Sequence, residues 1–215
     1  MPAFPLFIDL TGRKVLVFGG GQVALRKIQT LLLFQASVEV SAPKLCEELE
    51  AMIDGGTVKK AEITINFDGE EVPSVMDVFM VICATDNEIF NHRMAKKCRD
   101  MQIPVNSATS ATDSDFIFPS AVVRGDIVCG VTSSGNVPVL TKKIREMIDG
   151  ALPEWYGELS RRLVYARLIV KNHIGSQKKR GELLRVLADY GLSHEGSIPD
   201  EIIWKEIQHA KEAGL

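Results

Sequence analysis

The stretch KVLVFGGGQVALRK places three glycines between a short apolar run and an amphipathic segment. Glycine weakens both strands and helices, so the triplet indicates a turn that needs bare backbone. The pattern is G-x-G-x-x-A between a predicted strand and a predicted helix, in which glycine lets the backbone approach a pyrophosphate and Ala24 lets helix and strand pack closely. A tight turn without a ligand is the alternative. The candidate cofactor-binding residues of this turn are Gly19, Gly20, Gly21, Gln22 and Val23.

Two further segments follow predicted parallel strands, whose carboxyl ends form the usual ligand crevice of an open α/β sheet. The second strand ends without the acidic residue that would hold an adenine ribose. Ser41 could make one hydrogen bond to a ribose hydroxyl, and Lys44 could approach a phosphate, so the chemistry admits NADP as well as NAD. After the fourth strand, a threonine and an aspartate are expected near the adenosine half, and either could also cap the next helix, since the two roles are compatible. The candidates in this second group are Ala84, Thr85 and Asp86.

The candidate acid–base residues follow the fifth predicted strand. Asn106 follows that strand and so faces the same crevice, and the loop beyond it carries two carboxylates, Asp113 and Asp115. A carboxylate beside a nicotinamide could accept a proton as hydride leaves carbon. The alternative for each is a structural aspartate at a turn or strand start. Asp115 is the preferred base because it adjoins a strand, and a rigid support positions a catalytic group better.

Composition bounds the class of protein. With 46% apolar and 25% charged residues in 215, the chain is typical of a globular protein with one large or two smaller domains. It has no apolar run long enough to span a bilayer and no signal-peptide pattern, so no membrane segment is predicted. The four scattered cysteines indicate thiols in a reducing cytoplasm. The four histidines show neither metal-ligand spacing nor a Ser-His-Asp arrangement.

The charge is uneven along the chain. The net charge of −3 argues against nucleic-acid binding. Residues 1–115 hold 11 basic and 16 acidic residues, whereas residues 116–215 hold 14 and 12. The basic excess of the second part indicates either solvated helix faces or a bound anionic ligand.

The first hundred residues alternate strand and helix patterns, which predicts a parallel sheet with helices on both faces. Predicted strands are 14–18, 37–41, 57–65, 77–84 and 103–105, and predicted helices are 22–34, 44–54 and 87–101. The predicted class is therefore α/β, with a Rossmann-like parallel sheet.

The alternation stops at residue 116. Two adjacent strands, 116–123 and 126–132, predict a β-hairpin, and a helix follows from Pro138 to about Gly150. The remaining residues are helical, with breaks near 175–176 and 193–199. The predicted domains are an NAD-binding Rossmann domain at 1–112, a hairpin-plus-helix module at 113–150 and a helical C-terminal domain at 151–215. Since an isolated hairpin is marginal in water, we expect a homodimer that shares this module.

Five segments carry a resemblance to a known family: PLFIDLTGRKVLVFGGGQVALRK, ATDNEIFN, PVNSAT, DFIFPS and VTSSGNVPVL. Over residues 4–155 the chain resembles precorrin-2 dehydrogenase, the siroheme-synthase N-terminal family. The resemblance implies a Rossmann domain, a dimerisation module, and oxidation of precorrin-2 to sirohydrochlorin with NAD in siroheme biosynthesis. Some members also insert iron as ferrochelatases, which the resemblance leaves open here. It further implies that Gln22, Val23, Pro43 and Lys44 contact the cofactor and that Ser133 lies in the substrate region.

One family position differs. Members commonly read V-N-x-x-D after the fifth strand, and that aspartate is implicated in both reactions, but Thr109 stands there in this chain. A threonine cannot act as a carboxylate base at neutral pH. Either Asp113 or Asp115 takes its place, or the activity is weakened, or the protein has diverged. The family's S/T-G-G-x-S-P segment is also altered, to SSGNVP at 133–138.

The implied substrate is a tetrapyrrole with eight carboxylates, which suits the positive balance of residues 116–215. Arginine holds a carboxylate with two hydrogen bonds, and lysine acts as a point charge. Two rival functions stay open: an NAD-sensing module without chemistry, and a tetrapyrrole-binding or carrier protein. The candidate substrate-binding residues are Asn106, Thr109, Arg124, Ser133 and Lys142.

Overall fold

The computed structural model describes residues 3–61 and 77–212, and these form two compact units. The first unit runs to Phe118 and includes Ser134–Asn136, and the second holds Pro119–Ser133 and the chain from Val137 on. The division into three domains at residues 112 and 150 stays a prediction. None of the helices in these described ranges is long and apolar enough to cross a membrane.

The first unit is a parallel sheet with helices on both faces. Its elements are β1 (Lys14–Phe18), α1 (Gln22–Leu33), β2 (Ser37–Ser41), α2 (Glu47–Asp54), β3 (Lys59–Lys60), β4 (Met80–Cys83), α3 (Glu88–Asp100) and β5 (Val105–Ser107). The strand order is β3-β2-β1-β4-β5, and every neighbouring pair is parallel. The order therefore reverses at β1, which puts the topological switch point of the sheet beside the glycine turn. The predicted Rossmann-like α/β class is confirmed.

The period of two in β1 explains why helices cover both faces. Val15 and Val17 point into the core that α1 and α2 cover. Leu16 and Phe18 point into the core that α3 covers. All four side chains have no exposed surface, so β1 is buried on both sides as expected for a central parallel strand.

Several predicted boundaries were wrong in detail. β3 is formed by 59–60 rather than from 57 on, and β4 begins at Met80 rather than at 77. β5 is formed by 105–107 rather than 103–105, since Pro104 has no N–H and contributes only its carbonyl, which accepts from Val81 N–H at 2.9 Å. Residues 116–119 are not part of the hairpin strand, which begins at Ser120; Phe116 and Phe118 pack instead against the core beside α1. α2 begins at Glu47 rather than at 44. Residues 62–65 of the third predicted strand lie outside the described residues.

The second unit begins with the predicted hairpin. Its elements are β6 (Ser120–Arg124), β7 (Ile127–Val131), α4 (Pro138–Ala151), α5 (Trp155–His173), α6 (Gln177–Ser193) and α7 (Asp200–Glu212). β6 and β7 are antiparallel, and the two-residue turn between them uses Gly125 with φ of +56°. The predicted helix start at Pro138 is confirmed, and the helix ends one residue beyond Gly150. The three last helices share a core of their own.

The hairpin turn is tied to the helices that follow it. A Cβ on Gly157 would lie 3.1 Å from the Gly125 nitrogen, so the backbones of the turn and of α5 touch. The Arg124 guanidinium, 11% exposed, donates to the Leu152 carbonyl at 2.8 Å and to the Asp149 carboxylate at 2.8 Å. These contacts fix the end of α4 against β6.

Candidate dinucleotide-binding site

The first two glycines of the turn are required by the chain itself. Gly19 has φ of +124°, and a Cβ there would overlap the Ala84 carbonyl group at the end of β4. A Cβ on Gly20 would overlap the Lys44 carbonyl oxygen and approach Leu45 Cα to 3.0 Å. Both glycines therefore let three segments, after β1, β2 and β4, converge at the carboxyl edge of the sheet.

The fold of the chain does not require glycine at position 21. Its φ of −95° is ordinary for any residue, and a Cβ would find nothing within 4 Å among the described residues. Neither backbone strain nor packing against the chain explains glycine there, whereas close approach of a ligand does. Open space at a backbone position without a side chain is what the close approach of a dinucleotide pyrophosphate requires.

The start of α1 offers donors to such an anion. No side chain caps the helix, and no acidic residue lies in its first turn, so the free N–H groups and the positive end of the dipole stay uncompensated. Gln22 and Val23 are exposed beside it. Ala24 is fully buried, as the predicted close packing of helix on strand requires.

The end of β2 lines the other side of the turn. Ser41 is buried and its carbonyl accepts from Gly19 N–H at 3.0 Å. Gly20 O accepts from Cys46 N–H at 2.8 Å, which holds the 42–46 loop against the glycines. Pro43 and Lys44 are exposed at that loop. They follow the carboxyl end of β2, the edge at which an open α/β sheet binds its ligands.

A hydrogen-bonded network joins the loops after β4 and β5. Asn91, fully buried on α3, donates to the Thr85 carbonyl at 2.9 Å and to Thr109 Oγ1 at 3.1 Å, and it accepts from Thr85 Oγ1 at 2.7 Å. Thr109 Oγ1 also lies 3.2 Å from Ser107 Oγ. The threonine that replaces the expected aspartate is therefore held at the crevice edge by hydroxyl and amide contacts.

The predicted capping role belongs to another residue. Asn87 caps α3, since its Oδ1 accepts from Phe90 N–H at 3.0 Å. Thr85 Oγ1 accepts from Asn87 N–H at 3.2 Å and so supports the cap. Asp86 is exposed at the same edge.

Both candidate base aspartates are held against α3. Asp115 accepts from Arg99 Nε at 3.1 Å and from Val105 N–H at 3.0 Å, so both of its carboxylate oxygens are occupied. Asp113 is 8% exposed and lies 3.0 Å from His92 Nδ1 and 3.9 Å from the Arg99 guanidinium. The rigidity expected of Asp115 is present, but it comes from contacts that occupy the carboxylate.

A lysine that sequence reasoning missed lies on the opposite face of β5. Lys27 Nζ donates to Asn106 Oδ1 at 2.9 Å and lies 4.3 Å from the centre of the Phe118 ring. Asn106 is buried and donates to the Phe116 carbonyl at 2.9 Å. Burial lowers the pKa of Lys27 from 10.5 to about 8, with a smaller contribution from Arg26.

The substrate candidates of the second unit have local partners. Besides the contacts of Arg124 above, Ser133 Oγ accepts from Val137 N–H at 3.0 Å and from Thr141 Oγ1 at 2.8 Å, both near the start of α4. Lys142 is exposed and lies 3.9 Å from Glu146. A substrate role for these three stays a prediction.

The structure brings together the glycine turn, the ends of β2 and β4, Asn106 and Thr109 within one unit. Sequence reasoning missed Lys27, Asn91 and the partnership of His92. Asn91 could have been found, because it falls with Met94, Ala95 and Cys98 on the apolar face of α3. Lys27 carried no such signal, since the residues that contact its amine, Asn106 and Phe118, are distant in the sequence.

The potential metal-ligating side chains of the described residues are dispersed. No group of three or more metal-ligating side chains occurs among them. Burial raises the pKa of Cys98 to about 12 and raises that of Cys83 further. All four cysteines are free thiols.

This fold and turn define a protein with a dinucleotide-binding Rossmann domain. Residues 6–120 match a family model described as "Putative NAD(P)-binding", and the chain belongs to that NAD(P)-binding family. The match confirms the predicted nicotinamide dinucleotide cofactor.

The chain is also similar in sequence to siroheme synthases. The chain is 35% identical over 181 residues to a siroheme synthase of Photorhabdus laumondii, covering 84% of this chain and 37% of that protein. It is 39% identical over 160 residues to a siroheme synthase of Actinobacillus succinogenes, covering 74% of this chain and 33% of that protein. The chain thus spans about a third of the length of these relatives.

Among solved structures, the fold resembles SirC, a precorrin-2 dehydrogenase, with a TM-score of 0.69 and 24% identity. The similarity covers 98% of this chain and 100% of that one. At this level of identity it establishes the fold.

Proposed function

We propose that the chain is a dehydrogenase that oxidises precorrin-2 to sirohydrochlorin with NAD, in siroheme biosynthesis. The observation that carries this proposal is the turn at Gly21. The turn lies at the switch point of a Rossmann sheet, with open space at Gly21 and free N–H groups at the start of α1. The kinship with siroheme synthases and the fold of a precorrin-2 dehydrogenase indicate the substrate class.

Each part of the crevice has a task in this proposal. The glycine turn and the start of α1 hold the pyrophosphate, and the 41–44 segment and residues 84–86 contact the adenosine half. Bound NAD supplies the hydride acceptor. Asn106, in β5, and Thr109, in the loop after it, then face the substrate. We propose NAD rather than NADP, because the loop after β2 offers little to hold the additional phosphate of NADP. Ser41 is buried, and Lys44 is the one cation of that loop.

The proton that leaves the substrate needs an acceptor. The contacts favour Asp113 over Asp115, because Asp113 Oδ2 makes no hydrogen bond within the described ranges, whereas both oxygens of Asp115 do. His92, 66% exposed at its side chain, touches Asp113 and could pass a proton to solvent. Thr109 would position the substrate rather than accept the proton.

A second candidate is a tetrapyrrole- or NAD-binding protein without dehydrogenase activity. The observation that favours it is the absence of a carboxylate at position 109, together with the ion pairs that hold Asp113 and Asp115 on α3. In this case the crevice would bind its ligands without turnover.

Anaerobic incubation with precorrin-2 and NAD separates the two candidates. We expect the absorbance of sirohydrochlorin to appear together with NADH in equal amounts. Binding of NAD by calorimetry without either product would favour the second candidate. Adding ferrous iron to the same reaction tests ferrochelatase activity through the absorbance of siroheme.

We further propose that the chain acts as a homodimer in the cytoplasm. In the single chain none of the residues of α4 is buried, although the helix carries a row of apolar side chains. A second copy packed on α4 and the β6–β7 hairpin would cover that row. Four free thiols suit a reducing compartment.

A further inference from the structure

A half-buried ammonium group without a carboxylate partner lies beside the crevice. Lys27 makes no ion pair with any acidic side chain in the described part of the chain. Its neighbours are the amide oxygen of Asn106 and the ring face of Phe118. An ammonium has three N–H donors, and these neighbours use one of them directly and attract the charge through the ring. The other N–H groups of the ammonium are therefore available to a ligand.

The amine of Lys27 lies toward the carboxyl edge of the sheet. Side chains of a helix lean toward its N-terminus, and α1 begins at that edge, so Lys27, in its second turn, reaches back toward it. Asn106, its partner, is the middle residue of β5, one residue from the strand's end. The amine thus lies on the β4–β5 side of the switch point, away from the β2 side where the adenosine half is expected.

Every other cation considered for the substrate is committed elsewhere. Arg124 donates to Leu152, Asp149 and its own strand. Lys142 is exposed in α4 beside an acidic residue. Lys27 alone of these three combines burial, a fixed orientation and no acidic neighbour.

We propose that Lys27 binds a carboxylate of the substrate, with Asn106 holding its ammonium in place. This inference rests on the proposed function, because it takes the ligand to be a polycarboxylate tetrapyrrole. A charge-assisted hydrogen bond in a partly buried site is among the stronger polar contacts, and its loss is expected to weaken ligand binding about 10- to 100-fold.

The same geometry predicts a pH dependence. The groups that face the amine are Asn106 on β5 and Phe118 on the segment after it, neither of which titrates, and Arg26 is its charged neighbour on α1. With the pKa of Lys27 at about 8, the free amine loses its charge above that pH. Carboxylate binding should therefore weaken as pH rises from 7 to 9.5.

The test uses uroporphyrin, a stable porphyrin with eight carboxylates, titrated by fluorescence against the full chain. Lys27→Met should bind it about 10- to 100-fold more weakly, with NAD affinity unchanged. Lys27→Arg should keep the affinity and lose the pH dependence, because arginine stays charged. Arg26→Met, which removes an exposed charge from the neighbouring position, is the matched control and should bind as the wild type does.

Several outcomes would overturn the inference. One is a folded Lys27→Met chain with wild-type porphyrin affinity; another is a pH dependence that persists in Lys27→Arg. If the wild-type chain binds NAD but no octacarboxylate porphyrin, the proposed substrate class fails and the inference fails with it. If the porphyrin binds and Lys27→Met does not weaken it, the inference alone fails.

Discussion

At the scale of single residues, substitution of Gly21 should affect ligand binding without affecting folding. A Cβ there meets nothing in the described chain, so Gly21→Ala should leave the unfolding free energy nearly unchanged. The methyl group would stand where the pyrophosphate approaches, and Gly21→Asp would add a negative charge. We expect the aspartate variant to lose at least about tenfold in NAD affinity, roughly 1.4 kcal/mol, with alanine between it and the wild type. Calorimetry on folded variants decides, and unchanged affinity for both would refute the phosphate role.

The acid–base residues give a second test. If Asp113 accepts the proton, Asp113→Asn should lower turnover about 10²–10⁴-fold with NAD affinity intact. Asp115→Asn should instead lower the melting temperature, since an amide has one acceptor oxygen and no charge and cannot serve both Arg99 and Val105. Steady-state rates and thermal melts of both variants are the measurements. Full activity in both would show that no carboxylate of this loop is needed.

Thr109 offers the complementary change. Thr109→Asp restores the carboxylate that the family resemblance expects, at a position held by Asn91 and Ser107. If the crevice still has its catalytic geometry, turnover should rise, whereas a lower rate would mean that the hydroxyl network itself matters more.

The buried amine of Lys27 also affects stability, with a definite sign. Its pKa in the folded chain is about 8, against 10.5 when unfolded. Between these values the unfolded state binds more protons, so the unfolding free energy should rise with pH. Relative to Lys27→Met, the wild type should gain roughly 2 kcal/mol between pH 7.5 and 10. Denaturant melts across that range measure the difference, and a constant difference would contradict the lowered pKa.

At the scale of elements, two helical glycines should respond oppositely to alanine. A Cβ on Gly157 in α5 would lie 3.1 Å from Gly125 N and 3.3 Å from the Arg124 carbonyl carbon, whereas one on Gly181 in α6 would meet nothing within 4 Å. Gly157→Ala should therefore destabilise by about 1–3 kcal/mol, and Gly181→Ala should stabilise by about 0.5–1 kcal/mol. Chemical denaturation tests both, and equal effects would count against the close approach.

The elements that could be predicted are those whose pattern is local. The apolar run of β1 and the glycine turn are decided by residues within one stretch, and their bounds were right. The end of β5 and the path of 116–118 were missed, because proline positions and packing on a distant helix decide them. Lys27 shows the same limit at a site: its helix position is visible in the sequence, but the ring that buries it, Phe118, comes from about ninety residues away.

At the scale of the whole molecule, the exposed face of α4 predicts self-association. Leu140, Ile144 and Met147 share one side of the helix and are 51%, 38% and 73% exposed. The double variant Leu140→Glu with Met147→Glu should turn a dimer into a monomer, because burying two carboxylates costs far more than the contact gains. Light scattering at micromolar concentration reports the mass. Leu192→Glu, at an exposed position of α6, is the control, and a wild-type monomer would contradict the proposal.

The bond between Arg124 and the chain beyond α4 also bears on how the molecule can be dissected. A fragment cut after Gly150 would keep the guanidinium but lose its acceptor at Leu152, the carboxylate of Glu154 at 3.3 Å, and the glycine of α5 that backs the hairpin turn. The severed piece would carry a half-buried charge with an incomplete shell of acceptors. Fragments, domain exchanges and gene fusions should therefore not be made by cutting the chain between α4 and α5.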